Sequence, residues 1–310
     1  MGAERAGRLT LRDLGSGDPI VNRRRGRSKH VLRDRPVVPM GFGRPSKVLA
    51  VLAAVLSVVT MAWAGGVFGS AATALAATSI PTARLFKGVP AVGAVFLNGT
   101  NSPHTCTASL IRSSARDIVL TSAHCLAGNG KNLRFAPGYH DGVSPFGVWK
   151  ATSAYVDPRW VASQDPQRDY VFLVIAPRLI HGKSVHLRQL VTGYLLGGAP
   201  ALGQKVRVVA YPYGLQDKPI TCTVPNYRLN GYPAFDCHGY VGGTSGAPWI
   251  TVTRSGDLRV RGIIGGLNQG GCFEYTSYSS RFDLSTISLF NRAVSKVHPD
   301  TLPNAGGDGC

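Results

Sequence analysis

Three short stretches of the 310-residue chain hold side chains able to take up a proton or attack a carbonyl. The first, Asp117-Ile-Val-Leu-Thr-Ser-Ala-His124-Cys125, is an apolar run that delivers a histidine beside a cysteine. A lone histidine is usually structural. A bridge from Cys125 to Cys106 would close a loop and hold the imidazole in place, contributing roughly 3 kcal/mol in a chain-entropy description. The second stretch is Arg168-Asp169-Tyr-Val-Phe-Leu-Val-Ile175, with a carboxylate at the mouth of an apolar strand. Burying Asp169 is costly unless it is paired, and accepting an imidazole Nδ1–H is one such pairing; alone, it reads as a surface turn residue. The third is Gly242-Gly243-Thr244-Ser245-Gly246-Ala247-Pro248-Trp249. Glycines flanking Ser245 let the backbone turn tightly, expose the hydroxyl and aim two N–H groups at one point. Such a point holds an oxyanion, worth roughly 3–4 kcal/mol per donor. No Gly-Lys-Ser/Thr follows, which excludes a nucleotide-binding P-loop.

The elements that must position these groups are short. Apolar runs at Ala91–Leu97, Asp117–Thr121, Tyr170–Ala176, Gln204–Ala210, Pro248–Val252 and Val260–Ile264 alternate with turn residues, in a chain with 38 glycines and 20 prolines. That spacing predicts an all-β sandwich or barrel. One helix is expected, over Leu284–Val297, with Leu284, Ile287, Leu289, Phe290 and Val294 on its apolar face.

Taken in order, Thr-Ser-Ala-His-Cys, then Asp heading an apolar strand, then Gly-x-Ser-Gly-x-Pro resembles the chymotrypsin/trypsin-like serine peptidases over roughly residues 88 to 297. The order His, Asp, Ser is that family's and differs from the subtilisin and α/β-hydrolase orders. The resemblance implies two antiparallel β-barrels, here 77–190 and 191–299, with the active site in the cleft between them and a C-terminal helix closing the second. It implies Ser245 as nucleophile, His124 as base and then acid, Asp169 as its orienter, and the N–H groups of Gly243 and Ser245 as the oxyanion hole. Protein or peptide is the implied substrate, with no cofactor and no metal. The runner-up is a catalytically inactive homologue serving as an extracellular binding module.

The chain departs from that pattern where trypsin-like zymogens carry an Asp before the nucleophile; Thr244 stands there and supplies no charge for a new N-terminal amine. Activation by a fresh N-terminus is therefore not expected, and in this respect the chain is closer to bacterial glutamyl endopeptidases. Those would carry His near Ile264, so a preference for Glu is not implied. The specificity pocket is expected to draw on Gly265 and Gly266, in the segment Gly262–Leu267, and on Asp236 and His238.

All six cysteines lie beyond residue 105, and no Cys-x-x-Cys occurs, which fits an oxidising compartment better than a zinc site. Cys222 and Cys237 are expected to bridge; the pairing of Cys272 and Cys310 stays open. The net charge of +18 is divided: residues 1–76 hold 12 Lys/Arg and 4 Asp/Glu, leaving 22 and 12 of the totals 34 and 16 beyond. Past residue 76 the basic residues are scattered, without an Arg/Lys-rich helix or an aromatic RNA-binding signature, so nucleic acid is not an expected partner. Residues 47–76 read as a signal peptide, Lys47 followed by an uncharged apolar core and an Ala74-Leu75-Ala76 exit; an uncleaved membrane anchor is the competing reading. Residues 1–46 form a basic n-region, and Met40 is read as the initiator, leaving 1–39 untranslated. The product would be a secreted monomer without stable membrane association, competent once the signal is removed, with 300–310 as a flexible tail.

Overall fold

The computed structural model describes residues 79–214 and 218–310. The n-region and signal segment lie outside the described residues. Among these, no helix is long and apolar enough to cross a membrane.

The fold is all-β. Six antiparallel strands close into a barrel in the order Val92–Leu97, Cys106–Ile111, Ile118–Thr121, Val171–Ile175, Trp149–Val156, Leu133–Pro137 and back to the first. Buried side chains from both faces of these strands, among them Leu110, Leu120, Phe172 and Tyr155, belong to one core cluster. The second half has its own core of Val206, Val208, Phe235, Trp249 and Ile264. Around it run a six-stranded sheet, ordered Arg84–Leu85, Ile220–Pro225, Lys205–Ala210, Pro248–Val252, Leu258–Ile263, Leu195–Leu196, and a three-stranded sheet of Tyr227–Leu229, Tyr232–Asp236 and Thr276–Tyr278. One short pair, Leu195–Leu196 on Leu258–Ile263, is parallel; the other ladders of both sheets are antiparallel. The Cys222–Cys237 disulfide ties the two sheets together.

The expected helix is present at Leu284–Ser295. Its buried face differs from the expected one: Thr286, Leu289 and Ala293 are buried, while Leu284 in the first turn is 86% exposed. Of the expected face, Leu289 is buried and Phe290 and Val294 pack against the core, so Leu284 at the helix start is what departs from it, and a cap fixes that start. Asp283 accepts from the backbone N–H of Ser285 and Thr286, and its other oxygen pairs with Arg168 at 2.9 Å. Burial alone would raise the Asp283 carboxyl, but the Arg168 guanidinium and the two helix N–H groups hold it below its ordinary value. The helix is thereby moored to the turn that precedes Asp169.

Candidate active site

Strand register brings the histidine and the aspartate together. Ile118–Thr121 pairs antiparallel with Val171–Ile175, with Thr121 opposite Val171. Continuing that register two residues further sets Asp169 opposite Ala123, next to His124. A 3-10 turn over Ala123–Cys125 then lifts the imidazole off the barrel rim. The turn is tied back by the Cys106–Cys125 disulfide to the start of the neighbouring strand. Both sulfurs of that pair lie close to His124, but being disulfide-bonded they offer no thiolate to a metal.

Asp169 is fully buried, and every donor it needs is in place. Its Oδ1 accepts from the backbone N–H of His124 at 2.9 Å. Its Oδ2 meets His124 Nδ1 at 2.7 Å and accepts from the Gly266 N–H at 2.8 Å. The arrangement leaves Nδ1 as a donor and presents Nε2 as the acceptor. Ser280 fixes the backbone below: its hydroxyl accepts from Asp169 N and donates to the Pro166 carbonyl. Behind the carboxylate the second half approaches so closely that a Cβ on Gly265 would lie 2.7 Å from Ser122 Oγ and 3.0 Å from Asp169 Oδ2. Only glycine fits there. Ser122 Oγ in turn donates to the Ile264 carbonyl across the same seam.

The serine loop is set by neutral contacts. Thr244 Oγ1 donates to the Val241 carbonyl at 2.7 Å, the Ala247 N–H donates to Thr244 O, and the Gly246 N–H donates to Ile264 O. The Tyr213 N–H holds the Gly242 carbonyl at 2.8 Å. A trans peptide points its N–H opposite to its carbonyl, so Gly243 N–H is turned away from Tyr213. Gly243 has a φ of +90°, and a Cβ there would stand 2.8 Å from the Tyr211 carbonyl. Neither the Gly243 nor the Ser245 N–H donates to a protein acceptor among the described residues. Two free donors beside an accessible hydroxyl are what an oxyanion requires.

Thr107, which sequence reasoning missed, binds this loop to the first barrel. It is fully buried on the strand Cys106–Ile111. Its N–H donates to the Ser245 carbonyl at 2.8 Å, and its hydroxyl accepts from Tyr211 N and donates to the Gly243 carbonyl at 3.1 Å. Thr107→Val leaves those two backbone groups buried and unpaired at one stroke. Since small misplacements of a reacting group are amplified in rate, the variant should lose about ten- to a hundredfold in kcat. Thr107→Ser, which keeps the hydroxyl, should recover most of it. A Val variant with undiminished kcat would show that the clamp is idle.

His124 and Ser245 line one cleft of about 600 Å³ between the two halves. Its other walls include Tyr240–Thr244 and the loop Asn268–Glu274. The four residues expected to form the pocket are placed differently from one another. Gly265 and Gly266 stand against Asp169, as described. The Asp236 carboxylate accepts from Tyr227 and Thr276 hydroxyls at 2.7 Å within the three-stranded sheet. His238 Nδ1 meets Glu274, whose other oxygen accepts from the Gly239 N–H. Glu274, itself on the cleft, is held below its ordinary value by that backbone donor first and by His238 second.

The third disulfide joins Cys272, on the cleft loop, to Cys310.

No curated protein matches the chain. Among solved structures, the protease Anisep from Arthrobacter nicotinovorans is 22% identical with a TM-score of 0.57, over 69% of this chain and 100% of that one. A thermostable serine protease, AL20, from an extremophilic microorganism is 25% identical with a TM-score of 0.55, over 67% of this chain and 98% of that one. A Glu endopeptidase shares the fold at 15% identity and a TM-score of 0.53, over 70% and 98%. The Trypsin family model matches residues 87–253, more than half the chain and the whole stretch from the first barrel strand through the serine loop. The chain belongs to the trypsin family of serine peptidases.

Proposed function

We propose that this peptidase is a secreted serine endopeptidase working through Ser245, His124 and Asp169. The observation that carries the reading is the 2.7 Å contact between His124 Nδ1 and the buried Asp169, with His124 and Ser245 on one cleft. Asp169 keeps the proton on Nδ1, so Nε2 is the face that accepts the serine proton as Oγ attacks the scissile carbonyl. The carbonyl oxygen becomes an oxyanion within reach of the Gly243 and Ser245 N–H groups. His124 then returns the proton to the leaving amine, and water repeats the sequence on the acyl-enzyme. Thr244 orders the loop through its hydroxyl, with no ammonium partner to wait for. The 47–76 segment would direct export and be removed in the process. The body would comprise the halves 77–190 and 191–299 with the tail 300–310, acting as a monomer on protein or peptide substrates, with no nucleic-acid partner and no lasting hold on a membrane.

A fluorophosphonate probe tests the reading directly. Stoichiometric labelling at Ser245, located by peptide mapping and matched by loss of peptide hydrolysis, is the expected result. An unlabelled Ser245 in a folded protein would instead favour the inactive, binding homologue.

A further inference from the structure

Beyond the helix, residues 300–310 run as a strap from the first barrel to the cleft, held at successive points. Asp300 pairs with Arg292 and accepts from Val156 N–H, and Leu302, buried, exchanges backbone hydrogen bonds with Gly128. Gln164 then grips both sides of the strap: its Nε2 donates to the Asn304 carbonyl and its Oε1 accepts from the Gly306 N–H. Gln269 Nε2 donates to the Gly306 carbonyl and Asn268 Nδ2 to the Asp308 carbonyl. Gln164, Asn268 and Gln269 all have φ near +50°, a region that disfavours side chains other than Gly and Asn. Three amides in uncommon backbone conformations thus hold one segment, and the Cys272–Cys310 disulfide locks its far end to the cleft loop.

The place this brings the strap to is functional. Asp308 lines the same cleft as Ser245 and His124. One of its carboxylate oxygens accepts from the Cys310 N–H, and the other has no partner among the described residues. Glu274, by contrast, has both oxygens taken by Gly239 and His238. In a chain with 34 Lys/Arg against 16 Asp/Glu, the cleft wall carries, among the described residues, these two carboxylates and no Lys or Arg. The local charge is opposite to that of the molecule.

We propose that the strap 304–310 is a wall of the substrate cleft, and that Asp308 selects there for a positively charged side chain of the bound peptide. The inference rests on the peptidase reading above. A strap cross-linked to the loop beside the nucleophile meets the substrate on one fixed side. A Lys or Arg reaching it gains an ion pair that a neutral Gln does not.

The test uses a peptide series in which a single Arg is moved through the positions flanking the scissile bond, each paired with its Gln counterpart. With the wild-type chain, one position should show an Arg/Gln preference in kcat/KM that shrinks in 1 M salt, where exposed charges are screened. In Asp308→Asn, which keeps the Cys310 hydrogen bond and removes only the charge, that ratio should fall about two- to fivefold, the weight of an exposed ion pair. Asp308→Lys should reverse it, and ending the chain after Pro303 with Cys272→Ser should abolish it, in each case through KM. If the wild type cleaves no peptide and Ser245 takes no probe, the peptidase reading fails. If it cleaves but no position responds to Asp308→Asn, the strap proposal is overturned while that reading stands.

Discussion

Ser245→Ala should lower peptide turnover about a million-fold, the loss found when a triad nucleophile is removed, and should leave the melting temperature nearly unchanged. The loop's hydrogen bonds explain why the two effects separate. Thr107 N–H binds the Ser245 carbonyl, Gly246 N–H binds Ile264 O, and Thr244 Oγ1 binds Val241 O; none of them uses the Ser245 hydroxyl. Alanine therefore removes the attacking atom and little else. The remaining activity would be what the two N–H donors and substrate binding supply without a nucleophile. Turnover by the purified variant, measured beside its thermal unfolding, decides the matter. A rate within a hundredfold of wild type would dismiss Ser245 as the nucleophile.

Asp169→Asn should cost about 10⁴ in kcat, the loss known for this substitution in a triad, again with the fold intact. Both carboxylate oxygens accept from N–H groups: Oδ1 from His124 N, Oδ2 from His124 Nδ1 and Gly266 N. An amide has one accepting oxygen and one donating nitrogen. Facing its oxygen to Gly266 and Nδ1 turns the NH₂ onto the His124 backbone N–H, donor against donor. Facing its oxygen to His124 N sets the NH₂ against Nδ1, which must then become an acceptor and send its proton to Nε2. A histidine protonated at Nε2 cannot take the proton of Ser245. Kinetics of Asp169→Asn read the effect, and a loss of tenfold or less would mean that Asp169 does not set the tautomer.

What was legible in the sequence was what local pattern encodes. Pro248–Val252 was read with its observed bounds, and the runs around Thr121, Val171 and Ala210 fell within a residue or two of their strands, because apolar runs between turn residues are a short-range signal. Cys106–Ile111 was not singled out, since Thr107 and Ser109 break its apolar run even though both are buried. The same polar residues are why the clamp was missed. A buried Thr has no signature until its partners are known, and Gly243 lies 136 positions away. Gly266 was expected to line the pocket and is not among the residues lining the cleft; its bond to Asp169, spanning 97 positions, left no local mark in the sequence. The cysteines of the third bridge were visible as a leftover pair; that their link places a strap beside the nucleophile depends on Gln164, Asn268 and Gln269, none of which stands out in the chain.

Asp169 leans on Gly266, Ser122 on Ile264, and Thr107 on Gly243 and Ser245, so each half completes the other's machinery. On the triad reading, a polypeptide with one half folded would have an unset carboxylate or an unset serine loop. Closing the seam would then order the serine loop through the neutral contacts of Thr107 and Thr244, where trypsin-like zymogens use an ammonium–carboxylate pair.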